Sequence, residues 1–237
     1  MIYYSAAMSD PNAKDNVCVY CGSTKALTDD HIPPKALFAK PRPSNLITGR
    51  SCRKCNEGAS KDDEYFRLML SMRHDTGDHP AVKRILPSIY RSLQKPTKKG
   101  FTQALFKSMG EFDIVSGGGI YLGAANAYNV DLGRLDRVAA RITTGLFYHH
   151  FGKRIPLDFH VKAYSATGLE NIDASAKTWV IDIFGKVTRN QPHTFGDGVF
   201  AYWVQPVQGH DTMGAWVLAF YERVPFLCLV TPNEDAA

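Results

Sequence analysis

No stretch of this sequence is apolar for long enough to cross a bilayer. The longest hydrophobic run, from Ala215 to Val230, is broken by Glu222, Arg223 and Pro225, whereas a spanning helix needs about 20 continuous apolar residues. Residues 1–14 have neither the basic patch nor the apolar core of an export signal. Cysteine is scarce, five in 237 residues, which excludes a disulfide-built secreted scaffold. There is no internal repeat and no low-complexity tract. With 44% hydrophobic and 22% charged residues, a disordered or fibrous chain is excluded as well. The expectation is a soluble, cytoplasmic, globular protein of one large domain or two small ones.

An acidic excess is also missing, and the basic one is uneven. Residues 1–113 hold 18 Lys and Arg against 12 Asp and Glu, and the remainder holds 10 against 11. A surplus of this size serves solubility as readily as a polyanionic partner. It gains meaning only if the same half carries a nucleic-acid motif.

Four of the five cysteines form two pairs, Cys18-Val-Tyr-Cys21 and Cys52-Arg-Lys-Cys55, about 30 residues apart. Two C-x-x-C knuckles at this distance predict a four-thiolate zinc site. Gly22 follows the first pair and suits a turn needing positive φ. With four protein ligands the coordination sphere is closed, so this zinc is structural. It contributes on the order of 10 kcal/mol to folding. Cys228, alone in an apolar run, reads as a small buried hydrophobe.

Between the knuckles lie Asp30-His31-Ile32-Pro33, a basic Pro-rich loop, and Asn45-Leu46; Asn56 directly follows Cys55. In this order the segment resembles the HNH endonucleases, over about residues 17–65. The resemblance implies a ββα-metal active site in which His31 is the general base. Asp30 and Asn56 would hold a catalytic Mg²⁺ or Mn²⁺, and Asn45 would steady the loop carrying the histidine. The residue types suit that chemistry. Imidazole, with an ordinary pKa of about 6.5, is a base near neutral pH, and carboxylate and amide oxygens are hard ligands. In an extended segment Asp30 and His31 point to opposite faces, one toward the cation and one toward the attacking water. Arg42, Arg50, Arg53, Lys54 and Lys61 lie near this site in sequence and are candidates for the phosphate backbone. The implied partner is DNA, with RNA and a homo-oligomer left open. Asp62, Asp63 and Glu64 either supply a further ligand or open the next helix, where acids oppose its dipole.

The predicted fold class is α+β: a zinc-stapled ββα-metal domain over residues 1–94, then a helix-plus-antiparallel-sheet domain over residues 95–237. Residues 62–94 read as helical, broken around Thr76-Gly77-Asp78-His79-Pro80, with Pro87 a point for a kink. Lys95-Pro96-Thr97-Lys98-Lys99-Gly100 reads as a linker. Leu132–Phe151 is predicted as a helix between Asp131 as N-cap and Gly152 as stop. Strands are expected over residues 120–130, 158–163, 179–184, 199–204, 214–221 and 225–230. Two other functions fit: a zinc-knuckle nucleic-acid binder without catalysis, and a nuclease gated by a ligand-sensing C-terminal half.

Overall fold

The computed structural model describes residues 16–165 and 173–233, so the segment 1–14 read for an export signal lies outside the described residues. The chain is α+β. Strands β1 (Leu27–Ile32) and β2 (Ile47–Cys52) form an antiparallel hairpin in which Leu27 faces Cys52 and Ile32 faces Ile47. The loop between them contains a short 3-10 turn, Lys35–Leu37. β2 runs directly into helix α1 (Arg53–Ser71), which completes a ββα unit. Then follow α2 (Pro80–Leu93), α3 (Lys99–Lys107), and a separate ribbon of β3 (Gly110–Val115) and β4 (Tyr121–Ala127). Helix α4 (Leu132–Phe151) leads to β5 (Phe159–Ser165), α5 (Ala174–Val187), β6 (His193–Phe195), β7 (Phe200–Pro206), β8 (Gly214–Phe220) and β9 (Val224–Pro232). The last five strands form one antiparallel sheet in the order β5-β9-β8-β7-β6.

Strand alternation divides this sheet between two partners. Trp216, Leu218 and Phe220 on β8, with Phe226, Cys228 and Val230 on β9, face the large core that also takes in α1 and α4. Val217, Leu227 and Leu229 face the opposite side, where Val180 and Val187 of α5 cover them. β8 is buried on both faces, so its sequence is continuously apolar rather than alternating. The large core reaches from Ile32 and Leu37 near the hairpin, through Phe66 on α1, to Phe220 and Phe226, and thus draws on residues either side of position 94. The Phe66 ring meets Phe220 edge-on at 5.0 Å and Phe226 at 5.6 Å.

Helix α4 has the predicted bounds. The Asp131 side chain accepts a hydrogen bond from the Arg134 amide, Gly152 ends the helix at φ 63°, and Leu135, Val138, Ile142 and Leu146 are buried. α2 continues through Pro87 without dividing. Three expectations are corrected. Residues 179–184 are not a strand: Asp173 caps α5 by accepting from the Ser175 and Ala176 amides. The buried face of that helix repeats at helical spacing, as Val180, Ile183, Phe184 and Val187, while Trp179 and Ile181 are exposed. The acidic trio does not open a helix, because α1 already begins at Arg53 with Cys52 as its cap, which puts Asp62, Asp63 and Glu64 in mid-helix. Residues 95–100 are a 3-10 turn passing into α3 rather than a linker.

Asp136 on α4 has a buried carboxylate oxygen, Oδ1, with no hydrogen-bond partner. Burial raises its pKa from an ordinary 3.8 to about 6, opposed only by a backbone hydrogen bond with Ser165. The folded state therefore holds this proton more tightly than the unfolded state. The resulting stability is complete at acid pH and is lost as pH rises through about 6. Asp136→Asn is expected to stabilise the protein by about 1 kcal/mol at pH 7, after discounting for partial exposure. The gain should vanish near pH 4, as urea denaturation of both chains at the two pH values would show.

Candidate metal centre and active site

The first knuckle is a tight turn closed by the Gly22 amide donating to the Cys18 carbonyl at 2.8 Å, with Gly22 at φ 77°. The second spans the end of β2 and the first turn of α1. Pairing of Leu27 with Cys52 places both knuckles at the same end of the hairpin. The sulfurs of Cys18, Cys21, Cys52 and Cys55 all lie within 4.8 Å of one another, and Cys21 and Cys52 are 3.6 Å apart. Bonds of about 2.3 Å to tetrahedral zinc put the sulfurs under 4 Å apart, so the donor set and its spacing fit a structural metal such as zinc. Burial raises the Cys18 thiol, but hydrogen bonds to the backbone of Cys52, Cys21 and Tyr20 outweigh it and bring the group to about 6.

His31 and Asp30 share β1 with opposite environments, as the pleat requires: Asp30 is buried and His31 partly exposed. A cavity of about 460 Å³ is lined by Asp30, His31 and Lys35 on one side and by Asn56, Asp63 and Arg67 of α1 on the other. Asn56, Ser60, Asp63 and Arg67 recur at helical spacing, so one polar stripe of α1 forms that wall. The Asn56 Nδ2 donates to Thr28 Oγ1 at 3.0 Å, which fixes the amide and leaves its carbonyl oxygen for another partner. Burial, followed by the charge on Lys35, lowers the His31 pKa from its ordinary value, with Asp30 opposing. The ring is therefore neutral near pH 7 and able to accept a proton.

Around Asp30 the network extends well beyond the hairpin. Its Oδ2 accepts from the Tyr20 hydroxyl at 2.8 Å and from Arg141 of α4. Arg141 also reaches Asp63 at 3.6 Å and lies over the Tyr20 ring, 4.4 Å from its centroid. Burial raises the Asp63 carboxyl to about 6 despite Arg141, with Asp30 and Asp62 adding to the rise. Its Oδ1 is buried without a hydrogen-bond partner. An orphaned carboxylate oxygen beside Asp30 and Asn56 is a donor set that suits a hard divalent cation.

Asn45 is exposed on the turn before β2 and lines a different cavity, together with Arg42 and Arg84. Among the basic residues, Arg50 pairs with Asp29 at 3.0 Å, Arg53 pairs with Glu57 at 3.4 Å, and Arg42 donates to the Lys35 carbonyl. Lys54 and Lys61 are exposed. Sequence reasoning passed over Lys35, Arg67, Tyr20 and Arg141. The first two had a signal, the short distance to His31 and the helical spacing from Asn56; Arg141 had none. His149 and His150 lie in the last turn of α4, His149 exposed and His150 partly buried, where it meets the Tyr202 hydroxyl at 2.9 Å.

Residues 18–62 match the HNH endonuclease family model. No curated protein and no solved structure matches the chain. The matched segment holds both knuckles, the hairpin and the first half of α1, and it points to a nuclease-type function. Among the described residues no helix is long and apolar enough to cross a membrane.

Two outcomes follow from this geometry. The purified chain should carry one zinc per molecule by elemental analysis, and a strong chelator should unfold the hairpin, seen as loss of protection of β1 and β2 amides in hydrogen exchange. Arg141→Leu should destabilise the fold by about 3–5 kcal/mol, because it takes away the cation that the buried carboxyl groups of Asp30 and Asp63 both face. Adding Asp30→Asn should restore part of that loss in denaturant titrations.

Proposed function

We propose that this protein is a divalent-cation-dependent endonuclease of the HNH type that hydrolyses phosphodiester bonds in DNA. The observation that carries the reading is the convergence of His31, Asp30 and Asn56 on one open cavity within the segment that matches the family. In the proposed reaction a water held beside His31 attacks phosphorus in line with the leaving oxygen. Its proton passes to the free nitrogen of the neutral imidazole as the new P–O bond forms. The bridging P–O bond then breaks, and the leaving oxygen is protonated from solvent. Asp30 and Asn56 would hold Mg²⁺ or Mn²⁺, with Asp63 placed as a further donor. The cation offers charge stabilisation to the phosphate and the departing oxygen. Lys35, on the cavity wall, adds positive charge where the phosphate would sit. Arg141 acts through Asp30: it holds Oδ2, so that the carboxylate is oriented with Oδ1 clear of the guanidinium.

The test is supercoiled plasmid with and without Mg²⁺ or Mn²⁺. Wild type should yield nicked or linear DNA only with the cation. His31→Ala should lose cleavage by about 10²-fold or more while its melting temperature and DNA affinity hold. DNA binding with no cation-dependent cleavage by wild type would overturn the reading in favour of a zinc-knuckle binder.

A further inference from the structure

A second cavity, about 480 Å³, adjoins the His31 cavity and falls within the 300–1,000 Å³ usual for small-molecule sites. Glu64, Arg67 and Ser92 line both, so the two spaces share a wall. The interior of the second is largely apolar, built from Leu68, Ile89, Leu93 and Phe101.

The cations at its edge differ in what they already hold. Lys98 is engaged by Glu64. Arg134 is engaged by Asp62 and by the Lys61 carbonyl, both at 2.7 Å, and its guanidinium covers the Tyr65 ring at 4.0 Å. Lys61, also on the edge, is exposed, whereas Arg67 is set into the wall. It is partly buried in the shared wall, donates to Ser88 Oγ at 2.9 Å, and makes no ion pair among the described residues. A partly desolvated guanidinium that feels the Glu64 charge but makes no ion pair with it has donors to spare for a phosphodiester, which offers charge and paired acceptors together. The ring left available for stacking is Phe101, partly exposed and standing edge-on to Tyr65 at 6.0 Å and 75°.

We propose that this second cavity receives a nucleobase of the substrate strand, turned out next to the scissile phosphate and stacked on Phe101, with Arg67 holding the phosphate between the two cavities. The identity of this ligand rests on the nuclease reading above. A largely apolar cavity with a guanidinium in its wall fits a base joined to a phosphate, and stacking is tolerant of which base it is. Turning a paired base out of a duplex has an unpairing and unstacking cost that an already unpaired base avoids. The protein is therefore selective for DNA with a bulged or otherwise unpaired nucleotide at the cut site.

The experiment uses the full-length, zinc-loaded His31→Ala chain in Mg²⁺ and fluorescence anisotropy with three DNAs. These are a paired duplex, the same duplex with a single-adenine bulge, and the same bulge made abasic. The adenine bulge should bind at least about fivefold more tightly than the abasic one, the lower end of what base–aromatic stacking supplies. In the Phe101→Ala chain that ratio should fall to near one, and Phe101→Leu should give an intermediate ratio. Arg67→Gln should weaken all three DNAs and leave the ratio in place. Equal affinity for adenine and abasic bulges, or no binding of either, overturns the proposal, as does a ratio that survives Phe101→Ala. Free dAMP binding more tightly than the bulged DNA would also overturn it, by assigning the slot to a soluble nucleotide. Plasmid cleavage without base discrimination would sink the slot alone. Base discrimination without cleavage would sink the catalytic reading and leave a nucleic-acid-binding cavity.

Discussion

A carboxylate removed from water keeps its charge only with a cation against it, and Asp30 is such a group. Its cation is Arg141, which α4 delivers from 111 residues further along the chain. Satisfying that single charge forces α4 down onto β1. The approach is close enough that a Cβ on Gly145 would lie 2.5 Å from the Ile32 side chain, so glycine at that position is a requirement of the contact. Tyr20 from the first knuckle and Asp63 from α1 join the same cluster. Four chain segments thus meet around one acid, two of them from far along the chain, and the site has a defined shape because none of them can move without exposing a buried charge.

The β1–β2 hairpin and its loop contribute few large buried side chains of their own, chiefly Ile32, Leu37, Phe38 and Ile47. A segment so short buries too small a fraction of its surface to be stable alone. Two supports replace the missing core. The four clustered cysteines join the open end of the hairpin to the start of α1 through the metal their spacing suits. Phe66, on the face of α1 away from the cavity, plugs into the aromatic cluster of Phe220 and Phe226 on the large sheet. The sheet is thus part of what holds the site in place, whatever further role it has.

What could be read from the sequence follows from which contacts are local. The zinc ligands, His31, Asp30 and Asn56 lie within 38 consecutive residues, from Cys18 to Cys55, or directly after them, and fixed spacing makes such a group visible without coordinates. Helix α4 was legible because an N-cap, a helical apolar stripe and a terminal glycine agreed. The segment 179–184 misled because Trp179, Ile181 and Ile183 alternate by chance, whereas burial follows Val180, Ile183, Phe184 and Val187; the Asp173 cap was the overlooked cue. The start of α1 was placed too late because a metal knuckle looks like a loop, although its second half here is already helical. Arg141 was out of reach, since nothing in a row of letters ties a helix residue to an acid 111 positions earlier.

Helix α1 shows why the site can be rigid without any loop being held still. Tyr65, Phe66, Met69 and Leu70 are buried on its inner side, and that packing fixes the rotation of the helix about its own axis. With rotation fixed, the opposite stripe of Asn56, Ser60, Asp63 and Arg67 is fixed too, spread over three turns at 1.5 Å per residue. Amide, carboxylate and guanidinium are therefore held in fixed positions along the cavity wall that faces His31. Groups placed in this way need no reorganisation when charge develops at a phosphate. The same stripe ends at Arg67, in the wall between the two cavities, so the rotation of one helix shapes both spaces.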